Sequence, residues 1–265
     1  MEAGLAGKTV LLTGASGSIG YAIAEMFDKE NSNMILAYNS GRDKIEALEK
    51  KLTNKHLPVS SDLTNEKEVE NLFLEAEKHF GRIDILVACA GAWSEEKYIS
   101  DRSLEEWNRT FRLNSTADFL LTKGFFNNLK KYKEDHGSIV YIGSTAGMIG
   151  EAGHHDYAAS KSAIIYGLTK SIKNEITKFA RLGRVNSVCP GWCATPMTHG
   201  LLDDEKFIRT ITSTIPLKKV ARTEDISSLV IFLSSDLLAG HITGEIITVA
   251  GGMEGRLLHG EIGMK

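Results

Sequence analysis

The chain reads as an α/β protein, a doubly wound parallel sheet of the Rossmann type with helices on both faces, forming one domain over residues 1–265. Apolar runs of strand length alternate with amphipathic stretches of helix length along the whole chain, a pattern that calls for a parallel sheet covered on both sides. The first run, Lys8–Leu12, passes through the glycine-rich turn Thr13–Gly20 directly into the amphipathic stretch Tyr21–Phe27, as the opening of a βαβ unit does. The composition, 42% hydrophobic and 25% charged over 265 residues, suits a single globular domain with a large core.

The strands are expected at Val10–Leu12, Met34–Tyr38, His56–Val59, Ile83–Ala88, Gly137–Ile142, Arg184–Cys189 and Glu245–Val249, short runs rich in Val, Ile and Leu. Between them, Arg42–Lys51, Glu66–His79, Leu104–Lys130, Ala158–Phe179 and Thr223–Leu233 carry apolar residues at helical spacing. The two longest are apolar on more than one face, through Phe111, Phe119, Leu120, Leu121, Phe125 and Phe126 in one and Ile164, Ile165, Tyr166, Leu168, Ile172 and Ile176 in the other. One face packs on the sheet and the remainder needs another cover. Three of the four prolines, Pro190, Pro196 and Pro216, follow the penultimate strand, so 195–215 reads as an excursion over the strand ends, a substrate lid. Residues 254–265 read as a tail whose Leu257, Leu258 and Ile262 either reach a neighbouring subunit or lie disordered.

Three groups carry chemistry. In the first turn, Gly14, Ser16, Ser18, Ile19 and Gly20 bring bare backbone and a helix N-terminus to one place, which suits a pyrophosphate. Such turns also join ordinary strands to helices. Tyr157 and Lys161 stand one helical turn apart, where the ammonium stabilises a phenolate and makes the phenol an acid and base for alcohol and carbonyl chemistry. Ser144 lies upstream of that pair with a hydroxyl for the same oxygen. Surface helices often carry such Tyr/Lys pairs, so the weight rests on the two motifs occurring together.

Together these residues resemble the short-chain dehydrogenase/reductase family over nearly the whole chain. Its T-G-x-x-x-G-x-G pattern is met at Thr13, Gly14 and Gly20, with Ser18 at the middle glycine position and Gly17 one place earlier. Leu113-Asn114-Ser115 is similar to its helix asparagine, Gly143–Gly147 to its serine strand end, and Pro190-Gly191-Trp192-Cys193-Ala194-Thr195 to its P-G-x-x-x-T nicotinamide loop. Two departures are clear. Val87-Ala88-Cys89-Ala90-Gly91 replaces N-N-A-G, which predicts a more apolar hydrogen-bonding solution there, and Ala250 replaces the usual aspartate.

The resemblance implies that Tyr157 exchanges a proton with the substrate oxygen, Ser144 hydrogen-bonds it, Lys161 holds the nicotinamide ribose and tunes Tyr157, and Asn114 anchors a water leading from Lys161. The implied cofactor residues are those of the first turn, with Asn39, Ser40, Arg42, Asp62, Leu63, Ala90, Gly91, Tyr157, Lys161, Pro190, Gly191 and Thr195. Asp62 has a second reading as a helix-terminal cap. The implied pocket walls are Trp93, His154, His155, Trp192 and Met197. The second strand ends in Asn39, Ser40 and Arg42 with no carboxylate to repel a 2′-phosphate, so NADP(H) is favoured over NAD(H); Arg42 as a solvated charge is the other reading.

Ile215-Pro216-Leu217, Arg222–Ile226 and Ile242–Glu245 resemble most closely the 3-oxoacyl-(acyl-carrier-protein) reductases. A sugar or polyol dehydrogenase is the alternative, and a non-enzymatic nucleotide-sensing or scaffold protein a remote one. The substrate is then a small-molecule or acyl-thioester carbonyl. An acidic carrier protein would meet Lys130, Lys131, Lys133, Arg181 and Arg184, cations that also complement helix C-termini without any partner.

A formal net charge of -3 leaves no footprint for nucleic acid or anionic membrane, and no apolar run approaches a membrane span. The N-terminus lacks a signal-like pattern, so a cytoplasmic location is expected. Cys89, Cys189 and Cys193 form no C-x-x-C pair and read as reduced, buried thiols. The adjacent His154 and His155 are expected to point to different sides, and no ligand set has metal spacing. Family members commonly pair the two long helices across a two-fold axis and then form tetramers, and the apolar run Ile242–Val249 suits the second interface, so the resemblance implies a homotetramer with dihedral symmetry.

Overall fold

The computed structural model describes residues 2–195 and 205–253. Seven strands, β1 (Thr9–Thr13), β2 (Asn33–Tyr38), β3 (His56–Ser60), β4 (Ile85–Ala88), β5 (Ser138–Ile142), β6 (Arg184–Pro190) and β7 (Ile246–Val249), form one sheet in the order β3-β2-β1-β4-β5-β6-β7. Every pairing is parallel. The order reverses between β1 and β4, which leaves a crevice outside their carboxyl ends.

Both faces of the sheet are covered, so successive strand residues serve different cores. Val10 and Leu12 join Phe27, Leu36, Val140 and Val230 on one side, while Leu11 joins Ile35, Leu72, Phe125 and Ile139 on the other. The first side is packed by α1 (Ser18–Lys29), α2 (Arg42–Glu49) and the helix Thr223–Ser234. The second is packed by α3 (Glu66–Phe80) and by two long helical segments, the first of which joins α4 (Leu104–Phe111) to α5 (Ala117–Tyr132).

The expected strand and helix boundaries hold to within a few residues, but each long helix has an interruption. Between α4 and α5, Arg112–Thr116 winds as a π turn, and a second π turn, Ala163–Leu168, separates α7 (His155–Ser162) from α8 (Thr169–Glu175). Thr169 Oγ1 donates to the Ile164 carbonyl five residues back at 3.0 Å, in step with the wider turn. A short helix α6 (Ala146–Ile149) precedes α7, and Glu205–Ser213 is helical within the stretch read as an excursion. Met197, the rest of that stretch between 196 and 204, and the tail 254–265 lie outside the described residues. Among the described residues no helix is long and apolar enough to cross a membrane, and no group of His, Cys, Asp or Glu is placed to hold a metal.

Candidate active site

The glycine turn follows β1 at the crevice. Gly14 has φ 67°, and a Cβ there would lie 3.0 Å from the Ala90 backbone, so the turn and the loop after β4 touch through bare main chain. A Cβ on Gly20 would lie 2.2 Å from the Gly14 carbonyl, which is why α1 starts tight against the turn. Ser18 takes the middle glycine position without strain, because the helix begins there and Gly17, at φ -81°, serves as its N-cap. No side chain caps α1 and its first turn holds no acid, leaving its N–H groups to the crevice.

Ser16 and Ile19 are half-buried on this turn. Ser16 faces the β2–α2 loop, where a Cβ on Gly41 (φ 77°) would lie 3.2 Å from the Ser16 Cβ. Asn39, Ser40 and Arg42 are exposed along that edge. Arg42 bonds Tyr38 Oη and Glu46 Oε1, both at 3.0 Å, through a largely exposed side chain that another anion can recruit. Asp62 is half-buried above the buried Leu63; its Oδ1 accepts from Thr64 N at 2.9 Å and Thr64 Oγ1 at 2.8 Å. That is a local turn, consistent with its second reading. Thr13 Oγ1 accepts from both Cys89 N and Ala90 N at 3.1 Å, tying the two strand ends without an asparagine.

The polar centre lies beside this turn, at the ends of β4 and β5. Gly91 is exposed, and a Cβ on it would lie 3.1 Å from Asn114 Oδ1 and 3.2 Å from Lys161 Nζ. Backbone, amide and ammonium thus meet at one spot that only glycine leaves open. Asn114 is fully buried in the π turn after α4; its Oδ1 accepts from Ala92 N at 2.9 Å, and its Nδ2 donates to Ala92 O and Ser160 Oγ, each at 3.1 Å. Ser160 Oγ in turn donates to the Tyr157 carbonyl at 2.8 Å. Lys161 Nζ donates to the Ile142 carbonyl at 2.8 Å and stands 6.0 Å from the Tyr157 ring centroid. Ser144, two residues past Ile142, is nearly buried and its Oγ accepts from Ala146 N at 3.1 Å. Pro190 and Gly191 close the far side: Thr145 N donates to Pro190 O at 3.0 Å, and Gly191 packs on Ala250. Thr195 is half-buried beyond them.

Aromatic rings wall the space next to the phenol. Trp93 lies 4.0 Å from His154, 4.8 Å from Tyr157 and 6.5 Å from Trp192 by ring centroids. Burial holds His154 below the ordinary imidazole range and so favours its neutral form. His155 turns away to stack on Trp107 at 6.2 Å, since neighbouring residues at the start of a helix project about 100° apart. The expected divergence of the histidines holds, and His155 is separated from the other walls.

The sequence reading missed a buried clamp behind Tyr157. Asp156 is fully buried; Ser94 Oγ and Thr110 Oγ1 donate to it at 2.8 and 2.7 Å, and Arg102 Nη2 stands 3.5 Å away with its own side chain buried. Arg102 also donates to the Glu95 and Gly153 carbonyls at 2.5 and 3.2 Å. Burial pushes the Asp156 carboxyl up, but the bonds from Thr110, Ser94 and the Tyr157 N–H, with Arg102, outweigh it and hold it below the usual carboxylate range. The clamp fastens the Trp93 loop and α4 to the start of α7.

Several cations read as carrier-facing are engaged within the fold. Arg184 is buried and paired with Asp236 at 2.8 Å, so it offers no exposed charge. Arg181 pairs with Asp135 at 2.8 Å, Lys131 with Glu77 at 2.6 Å, and Lys130 lies over the Phe179 ring. All three cysteines are free thiols; Cys189 and Cys193 are buried, and burial pushes both up to about 11. Burial therefore keeps the Cys193 thiol protonated despite its place in the loop.

Residues 14–254 match a family model described as enoyl-(acyl carrier protein) reductase. The 3-oxoacyl-(acyl-carrier-protein) reductase of Aquifex aeolicus is 36% identical over 258 residues, covering 96% of this chain and all of the relative. That of Escherichia coli is 34% identical over 247 residues, 93% of this chain and 97% of the relative. Among solved structures, a short-chain glucose/ribitol dehydrogenase from Brucella melitensis superposes with a TM-score of 0.86 at 32% identity, covering 96% of this chain and 99% of the other. A putative NAD(P)-dependent gluconate 5-dehydrogenase from Beutenbergia cavernae, with NADP bound at low occupancy, does so with 0.86 at 28% identity, over 96% and 99%.

Proposed function

The chain belongs to the short-chain dehydrogenase/reductase family, an oxidoreductase family acting on carbonyl and alcohol groups with a nicotinamide cofactor, and from that we propose an NADP(H)-dependent reductase of 3-oxoacyl thioesters. The observation that carries this reading is the meeting of Gly91, Asn114 and Lys161 beside Tyr157, at the mouth of a crevice stripped of Cβ atoms at Gly14, Gly20 and Gly91. The crevice fits a dinucleotide, with the Gly14–Gly20 turn for the pyrophosphate and Ser16, Asn39, Ser40 and Arg42 for a 2′-phosphate. Asp62, Leu63, Ala90, Pro190, Gly191 and Thr195 would line the remainder.

When bound, the nicotinamide supplies or accepts the hydride. Tyr157 gives its phenolic proton to the carbonyl oxygen in reduction and takes it back in oxidation. Ser144 donates a hydrogen bond to that oxygen and favours charge developing on it. Lys161, held by the Ile142 carbonyl, holds the cofactor ribose and stabilises a Tyr157 phenolate. Asn114 keeps the backbone at Ala92 and the side chain of Ser160 in register with Tyr157. Trp93, His154 and Trp192 exclude water from one side of the reacting oxygen.

The relatives that match nearly end to end carry the name of 3-oxoacyl reductases, which supports a thioester substrate. A sugar or polyol is the second reading, because the Trp93, His154 and Trp192 rings offer flat faces on which a sugar ring stacks. Free thiols and the absence of a membrane-length helix among the described residues suit a cytoplasmic enzyme. Purified protein assayed with NADPH, NADH and their oxidised forms against short 3-oxoacyl thioesters, simple ketones and aldoses decides between them. NADPH oxidation driven by the thioester supports the reading, and turnover confined to aldoses with the oxidised cofactor replaces it with the second.

A further inference from the structure

The first π turn grips the helix that carries Tyr157 and Lys161. In this turn the Ala117 N–H donates to the Arg112 carbonyl five residues back, and two successive side chains, Asn114 and Ser115, meet one residue of α7. Neighbouring side chains of a regular α-helix project about 100° apart, so a single residue seldom meets both. Asn114 Nδ2 donates to Ser160 Oγ at 3.1 Å, and the half-buried Ser115 donates through Oγ to the Ser160 carbonyl at 3.0 Å. Ser160 is fully buried, and its hydroxyl donates to the Tyr157 carbonyl at 2.8 Å.

The two grips fall on different peptide planes. The Tyr157 carbonyl lies in the plane that joins Tyr157 to Ala158, and the Ser160 carbonyl in the plane that joins Ser160 to Lys161. Asn114, through the Ser160 hydroxyl, therefore steadies the backbone leaving the tyrosine, while Ser115 steadies the backbone entering the lysine. The second hold falls where the helix changes. The regular bonding of α7 ends at Ser162 and the second π turn begins at Ala163, so Lys161 departs from the last regular turn. Its flexible stem carries the ammonium to the Ile142 carbonyl at 2.8 Å and to 6.0 Å from the Tyr157 ring centroid, and a shift at the root moves that end.

We propose that Ser115 is a positioning residue for the reaction, a hydroxyl that fixes the Ser160–Lys161 peptide and so holds the Lys161 ammonium at its distance from Tyr157. The proposal rests on the roles given above to Tyr157 and Lys161. Ser115 acts through the α7 backbone and gives no proton to the substrate. Its loss slows the chemical step and leaves the cofactor crevice as it is.

The test compares native protein with Ser115→Ala, Ser115→Thr and Tyr157→Phe, measuring kcat, cofactor affinity and the thermal midpoint on the same samples. The substrate is a 3-oxobutanoyl thioester with NADPH or, should only aldoses turn over, an aldose with the oxidised cofactor. Ser115→Ala is expected to lower kcat about fivefold, the size of one lost hydrogen bond, with cofactor affinity and thermal midpoint unchanged. Ser115→Thr keeps the hydroxyl and is expected to restore kcat to within about twofold of native. A kcat for Ser115→Ala equal to native, with Tyr157→Phe inactive, overturns the role of Ser115 alone. So does a loss that Ser115→Thr shares, a loss that comes with weaker cofactor binding or a lowered midpoint, or a Ser115→Ala protein that does not fold, since each marks general packing. Turnover retained by Tyr157→Phe overturns the reading of Tyr157 and the proposal with it.

Discussion

Tyr157 is fixed from the residue before it. Asp156 gathers Ser94, Arg102, Thr110 and the Tyr157 N–H around one buried carboxylate, so the first turn of α7 cannot shift without breaking that set. Asp156→Ala strands the buried Arg102 guanidinium and is expected to cost about 3 kcal/mol of stability, with kcat reduced, as thermal and denaturant melts and steady-state rates would show. The carboxyl is held below its ordinary range, so its contribution is present above about pH 4 and lost as the pH falls further. The stability difference between native and variant should narrow on acidification; a gap that stays constant from neutral to acid pH would contradict a charged clamp. Spacing alone exposes Tyr157 and Lys161, which are neighbours along a helix. Ser94 and Thr110 lie 62 and 46 residues from Asp156 and have no periodic relation to it, so nothing local in the sequence points to the clamp.

At the scale of elements, the proposed cofactor preference rests on the edge formed by Ser16, Gly41 and the start of α2. Arg42 spends its hydrogen bonds on Tyr38 and Glu46 on an exposed surface, a weak commitment that leaves it available to the proposed 2′-phosphate. Arg42→Ala should raise the KM for NADPH about tenfold and leave that for NADH nearly unchanged, and Asn39→Asp should move preference towards NADH. Equal effects of Arg42→Ala on both cofactors would remove the phosphate assignment. The strands were legible because a sheet buried on both faces leaves unbroken apolar runs such as Thr9–Thr13. The two π turns were not, because one extra residue in a helical turn leaves the apolar pattern nearly intact. Each adjoins a residue of the proposed site: Asn114 lies within the first, and the second begins two residues after Lys161.

At the scale of the whole molecule, the fold accounts for much of the apolar surface on the long helices. Leu121, Phe125, Ile164, Ile165 and Ile176 are fully buried within the chain, while Phe119 and Tyr166 remain about half exposed, one on each helix. The proposed pairing of these two helices across a two-fold axis would cover both rings, and with the proposed second interface at Ile242–Val249 light scattering at low micromolar concentration is expected to give a tetramer and Phe119→Lys a smaller species. A native monomer would contradict that assembly. The strand order places the glycine turn, Gly91, Ser144 and Gly191 at the carboxyl ends of β1, β4, β5 and β6, and so brings the crevice proposed for the nucleotide and the residues proposed for proton transfer to one edge of the sheet. The most direct test of that account compares native protein with Tyr157→Phe, measuring thioester-dependent NADPH oxidation and NADPH affinity on the same samples. A fall in kcat of at least about 10²-fold with unchanged NADPH affinity is predicted, and near-native turnover by a folded Tyr157→Phe protein would contradict it.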